Sequence, residues 1–145
     1  MPRTEQEIQT IITDFRVISY RKTLLTCGIL EFYTPQVAEL RSLAVSPGLR
    51  GAGLGRRLAA ALVDEARRRG AEMVFALTYS TEFFAKLGFS PVSRQLLPWK
   101  VWKDCLRCPK HECCDESAVA RWLKPRPDSR PLFPILPSAP LAGRA

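Results

Sequence analysis

The feature that most constrains this chain is a run of three glycines between an extended segment and an amphipathic one. Residues 37–46 alternate as a strand does, which predicts Glu39, Arg41, Leu43 and Val45 on one face and Leu40, Ser42 and Ala44 on the other. Ser46, Pro47 and Gly48 signal a turn, because proline fixes φ and glycine admits positive φ. The run RGAGLG follows at 50–55, and from Leu54 a leucine recurs every fourth residue through Leu58 and Leu62. Arg67, Arg68 and Arg69 put positive charge where a helix dipole is negative, and Gly70 reads as the helix stop.

This order of elements predicts an anion site. Gly51, Gly53 and Gly55 let backbone N–H groups come close to a phosphate, and the helix N-terminus adds partial positive charge. Arg50 and Arg56 flank the loop and offer charge-assisted hydrogen bonds. A dinucleotide fingerprint needs its third glycine one residue later than Gly55. A P-loop needs Gly-Lys-Ser/Thr, where this chain has Gly55-Arg56-Arg57.

The pattern R/Q-x-x-G-x-G/A, met by Arg50, Gly53 and Gly55, resembles the pyrophosphate loop of the GNAT superfamily of N-acetyltransferases. The resemblance takes in the preceding LRSLAV and the later FFAKLGF at 83–89. It implies an α/β (α+β) fold: a mixed, mostly antiparallel sheet with a central, splayed parallel strand pair and helices on both faces. Acetyl-CoA would lie between the splayed strands, with its pantetheine arm on backbone groups of Leu43, Ala44 and Val45. Its pyrophosphate would sit on Arg50, Gly51, Ala52, Gly53, Leu54, Gly55 and Arg56. Phe84 stands where many relatives carry a tyrosine, in the helix that lines the thioester channel. The chain opens at the superfamily's second helix, so the expected fold is N-terminally shortened; it is a compact variant or has a start upstream of Met1.

The run LPWKVWKDCLRCPK at 97–110, with AELRSLAV at 38–45 and FALTY at 75–79, resembles the short stand-alone N-acetylglutamate synthases. With these the resemblance covers about residues 4–119. It implies acetyl transfer to the α-amino group of L-glutamate, or L-glutamine, the first step of arginine biosynthesis, by a cytoplasmic homodimer. Amide formation requires the amine to lose a proton before it attacks the thioester. Glu39 is the candidate base, and a salt bridge with Arg41 is its alternative role. Arg41 is the candidate clamp for the substrate carboxylate. A backbone N–H near Leu43 or Ala44 would meet the oxyanion. Tyr79 is the candidate proton donor to the departing thiolate, given Phe84 at the usual tyrosine position. Two alternatives remain open: a GNAT acetyltransferase for another amine, and a non-catalytic regulator that binds CoA or an amino acid.

At 145 residues, 46% hydrophobic and 25% charged, the chain can build one core. No 18-residue apolar run is present, so no membrane contact is expected. The net charge of +8 favours an anionic partner; arginines around a CoA-type loop account for part of it, and nucleic acid is not expected. Cys105, Cys108, Cys113 and Cys114, with His111, have the ligand types and part of the spacing of a zinc knuckle. The second C-x2-C pair is missing at the usual distance, so thiols in a covering loop are the reading taken, with no metal. Residues 4–10 predict a helix with a capping box, Thr4 to Glu7, and Ile8, Ile11, Ile12 and Phe15 as its apolar face. Residues 125–145 hold six of the chain's twelve prolines and read as a disordered tail, which leaves 1–124 as the N-acetyltransferase domain.

Overall fold

The protein is described by a computed structural model, which covers residues 3–97 and 104–125. The expected tail lies outside these residues, apart from its first proline, and so does much of the 97–110 motif.

Helix α1 (Glu5–Thr10) starts with the expected capping box: the Thr4 side chain accepts from the Glu7 N–H, and the Glu7 carboxylate accepts from the Thr4 N–H. Its apolar face is less buried than the periodicity predicts, since α1 has no buried residue and Ile12 is 58% exposed. Strands β1 (Phe15–Tyr20) and β2 (Thr23–Thr34) form a hairpin whose turn residues Arg21 and Lys22 both have positive φ. That geometry matches the twist of paired strands. Strand β3 (Val37–Val45) runs antiparallel to β2, and helix α2 (Leu54–Arg68) then crosses to β4 (Met73–Thr78), which pairs parallel to β3. A short helix α3 (Thr81–Ala85), a two-residue strand β5 (Ser90–Pro91) and β6 (Ser117–Trp122) complete the order β1-β2-β3-β4-β6-β5.

Strand β6 has no counterpart in the sequence reading. Its SAVARW run is short and alanine-rich, with little strand propensity of its own; six backbone pairs with β4 hold it in place.

The sheet separates two apolar clusters. On one face Leu58, Leu62, Val63 and Ala66 of α2 pack with Leu30, Ala38, Leu40, Val74 and Ala76, and Phe84, Leu87 and Phe89 join them from the α3 segment. On the other face Val37, Met73, Phe75, Ala118 and Ala120 are covered by Leu97, with Tyr33, Val92 and Trp122 at the margin. Helices α2 and α3 therefore serve one face, and among the described residues the second face is closed by irregular chain and 3-10 turns.

Strand β3 departs from strict alternation. Cys27 pairs with Ala44 and Ile29 with Arg41, so β3 holds one more residue than β2 across this interval, and Ser42 has φ of 54°. This is a β-bulge, which reverses the facing of everything beyond it. Leu43 is thereby turned to the α2 side, where its Cδ1 lies 3.2 Å from the position a Cβ on Gly28 would take, beside Leu62. Val45 follows it and meets Gly55 of α2. Glu39 and Arg41 remain on the opposite face, which corrects the expected grouping of Glu39, Arg41, Leu43 and Val45.

Leu62 is 1% exposed at the centre of the α2 face. Leu62→Ala is expected to reduce unfolding free energy by about 2–5 kcal/mol through the lost transfer energy and the cavity it leaves. Urea titration of the two proteins measures this difference.

Candidate active site

Strands β3 and β4 pair over Val37–Met73, Ala38–Val74 and Glu39–Phe75, and then part. Beyond Glu39 the two strands run on to Val45 and Thr78 with no pairing to each other, which leaves a wedge open along the sheet. On its outer side β3 stays attached to β2: the Ser46 N–H donates to the Leu25 carbonyl at 2.9 Å, and Thr26 Oγ1 donates to the Ala44 carbonyl at 2.7 Å. By strand alternation, Leu43 and Val45 then turn their backbone groups toward the wedge, while Ala44 and Ser46 turn theirs toward β2.

The glycine loop follows the end of β3, at the open end of this wedge. Gly51 and Gly53 have φ of 84° and 81°, which side chains rarely adopt, and Gly53 is the N-cap of α2. No side chain caps α2, so its first N–H groups are directed at the loop. Gly55 has a different function. A Cβ there would lie 3.0 Å from Val45 Cγ2 and 3.7 Å from the Phe83 ring, so glycine lets α2 begin against the end of β3. Arg50 and Arg56 are exposed beside the loop, as are Ala52 and Gly53, and Leu54 is half-buried. Phe84 is buried in the core cluster, with edge-to-face contacts to Phe83 at 5.2 Å and Phe89 at 5.1 Å. The aromatic ring of α3 that reaches the start of α2 is Phe83.

At the closed end of the wedge the structure gathers a polar cluster. Glu39 is 2% exposed, and its Oε2 accepts from the Tyr33 hydroxyl at 2.8 Å. The same hydroxyl lies 3.0 Å from Asp104 Oδ2. Arg41 binds Glu31 and, at 3.0 Å, Asp104, and it passes 3.7 Å from Glu39 Oε2. All three ion pairs use Nη1, so the Nε and Nη2 edge of the guanidinium lies outside them. Burial opposes the Arg41 charge, but Glu39, Asp104 and Glu31 outweigh it and hold the group above its ordinary range. Burial, followed by the charges of Glu39 and Asp104, pushes the Tyr33 phenol well above its usual range. Tyr33 therefore stays a neutral hydroxyl, able both to donate and to accept. Its ring also packs on Phe75, centroids 5.6 Å apart, which fixes it over the Glu39–Phe75 step.

Glu31, Glu39 and Asp104 lie within 4.8 Å of one another, close enough to share a cation. Arg41 Nη1 already supplies that positive charge, so no metal site is assigned here. Among the described residues the cysteines form no comparable group. Cys105 and Cys108 bracket one 3-10 turn, Cys113 and Cys114 end another, and none of the four is in a disulfide. Arg94 donates to Cys114 Sγ at 3.0 Å.

Sequence reading places Glu39 and Arg41 on one face correctly: Arg41 Nη1 lies 3.7 Å from Glu39 Oε2, and Glu39 stands where the two strands part. Tyr79 is elsewhere. It lies four residues beyond Phe75, or about 13 Å along the strand, and is 62% exposed with its hydroxyl on Asp115 at 2.8 Å. Tyr33, Glu31 and Asp104 escaped the reading, because nothing in their spacing marks them. Tyr33 looks like one more strand aromatic, and Asp104 is 71 residues away.

Such a forked parallel pair, with a glycine loop at the helix that joins the strands, has relatives. The model of the acetyltransferase (GNAT) family matches residues 15–89. The chain belongs to this family. An uncharacterized N-acetyltransferase of Chlorobaculum tepidum is 36% identical over 123 residues, 85% of this chain and 79% of that protein. The amino-acid acetyltransferase of Neisseria meningitidis serogroup A is 35% identical over 104 residues, 70% of this chain and 24% of that protein, so this chain spans about a quarter of its length. N-acetylglutamate synthase of Neisseria gonorrhoeae, complexed with coenzyme A and N-acetyl-glutamate, matches with a TM-score of 0.75 and 30% identity over 86% of this chain and 29% of that one. The protein is thus an acetyltransferase of GNAT type, and its six-stranded sheet is mixed, with the expected parallel pair β3 and β4 at its centre. No described helix is long and apolar enough to cross a membrane.

Arg41 neutralises carboxylates that would otherwise repel one another across 4.8 Å or less. Arg41→Ala is expected to cost on the order of 3 kcal/mol of stability, as breaking a largely buried pair does, and Arg41→Lys should recover part of it. Chemical denaturation of the three proteins provides the comparison.

Proposed function

We propose that this protein transfers the acetyl group of acetyl-CoA to the α-amino group of L-glutamate, with L-glutamine as a second acceptor, the step that opens arginine biosynthesis. The observation that carries this reading is buried Glu39 at the fork of β3 and β4, with the outer edge of the Arg41 guanidinium beside it. The naming of the relatives supports it: proteins about a third identical to this chain are amino-acid acetyltransferases.

In this mechanism the pyrophosphate of acetyl-CoA rests on the first N–H groups of α2, with Arg50 and Arg56 as counter-charges. The pantetheine arm lies in the wedge along the backbone of Leu43 and Val45, and its thioester points toward the closed end. The substrate carboxylate engages Nε and Nη2 of Arg41. Glu39 accepts a proton from the amine, directly or through a water, and the amine attacks the thioester carbonyl. A wedge-facing N–H near Leu43 stabilises the oxyanion. The thiolate is a good enough leaving group to depart without a donor, so Tyr79 is not required as an acid.

Acetylation of a different amine is the second reading, favoured by the three carboxylates around Arg41, which suit a cationic acceptor better than an acidic one. Thiol release from acetyl-CoA, assayed against glutamate, glutamine, other amino acids and a polyamine, separates the two. Glutamate turnover supports the first reading, and turnover of the polyamine alone overturns it.

Two variant series test the parts. Gly53→Asp faces open space, so it costs folding only about 1 kcal/mol for its backbone conformation. Its carboxylate at the α2 N-terminus should nevertheless abolish acetyl-CoA binding in calorimetry. Wild-type affinity would remove the loop from the site. For the chemistry, Glu39→Gln should lower kcat by about 10²–10⁴. Arg41→Ala should act mainly on the KM for glutamate, because its contact is made equally before and during reaction.

A further inference from the structure

We propose that Tyr33 and Asp104 form a proton relay that carries the amine proton from Glu39 to solvent. The inference rests on the reading of Glu39 as the base and adds two residues to it.

A base as buried as Glu39 has to lose its proton before it can act again. The Glu39 side chain is 3% exposed, whereas the Asp104 side chain is 30% exposed. One hydroxyl bridges them: Tyr33 Oη lies 2.8 Å from Glu39 Oε2 and 3.0 Å from Asp104 Oδ2, both within direct transfer distance. A phenol oxygen carries one proton and two lone pairs, so it can take a proton from one carboxyl group while giving its own to the other. The transfer balances: the proton on Glu39 moves to Tyr33 Oη, the phenolic proton moves to Asp104 Oδ2, and Asp104 releases it to water. Tyr33 ends neutral, and no electrons change hands.

Exposure sets the direction of flow, because the Asp104 end of the bridge is the one nearer water. Arg41 Nη1 is 3.0 Å from Asp104 Oδ2 and 3.7 Å from Glu39 Oε2, so it draws negative charge toward both ends of the bridge and also holds Glu31. Packing of Tyr33 on Phe75 keeps the hydroxyl in line. Tyr33 and Asp104 are positioning residues here, since they act through Glu39 and not on the substrate.

The test uses the full chain with acetyl-CoA and L-glutamate, in H2O and D2O, comparing wild type with Tyr33→Phe, Asp104→Asn, the double variant, Asp104→Glu and Glu39→Gln. Both single variants are expected to lose about 10²-fold in kcat, the low end of a positioned acid–base contribution, with a larger solvent isotope effect and, in Tyr33→Phe, both KM values unchanged. Because the two residues act in series, the double variant should be no slower than the slower single, and Asp104→Glu should recover most of the rate. Wild-type kcat in Tyr33→Phe, or losses that multiply in the double variant, would overturn the relay. Asp104→Asn keeps the test decisive should Tyr33→Phe melt early, since wild-type kcat in that half-exposed variant overturns the relay as well. A large loss in Glu39→Gln beside full activity in Tyr33→Phe sinks the relay alone. Full activity in Glu39→Gln, or no turnover of any acceptor, sinks the base assignment and the relay with it.

Discussion

The parting of β3 and β4 after Glu39 is the constraint on which the site depends. A parallel pair normally continues its ladder, and two strands that stop pairing leave backbone groups without partners. The fold tolerates this because each strand is secured on its far side. β3 is held by β2 out to Val45, and β4 is held by β6 out to Thr78. The open backbone between them lets an extended ligand lie edge-on against a strand in the middle of the sheet.

The bulge at Ser42 makes this geometry compatible with a packed core. Without the extra residue, Leu43 and Val45 would share a face with Glu39 and Arg41, and α2 would lose two of its apolar partners at its N-terminal end. With it, the polar pair stays on one side while Leu43 and Val45 pack under Gly28 and Gly55 on the other. One strand thus serves the acid–base site and the helix interface in turn. Arg3 adds a tie from the N-terminal segment, donating from Nε to Ser42 Oγ at 3.2 Å.

The polar cluster illustrates how burial and charge set each other. Glu39 can be 2% exposed because Tyr33 satisfies an oxygen and Arg41 lies near, and Arg41 can be largely buried because acids from β2, β3 and the Asp104 loop surround it. No member is in that environment independently. Removing a partner leaves a desolvated charge behind, so such groups hold their geometry tightly. A base on a fixed frame is one that a substrate amine can meet without reorganisation.

The sequence by itself determined what short-range rules govern. The Thr4 capping box, the α2 leucine stripe and its Gly70 stop, the glycine loop and the strand that precedes it each rest on residues within a few positions of one another, where propensity and periodicity decide. Glu39 and Arg41 were legible for the same reason, two residues apart on one face before the bulge. Only the tertiary structure decided the rest. The bulge depends on pairing with β2, β6 exists through its ladder with β4, and the α1 isoleucines found less cover than their spacing implied. Phe83, not Phe84, reaches the start of α2, because a helix as short as α3 takes its orientation from the core it meets. The meeting of Tyr33, Glu39 and Asp104 joins residues 71 positions apart, a distance over which no sequence pattern carries information and only chain closure brings the groups together.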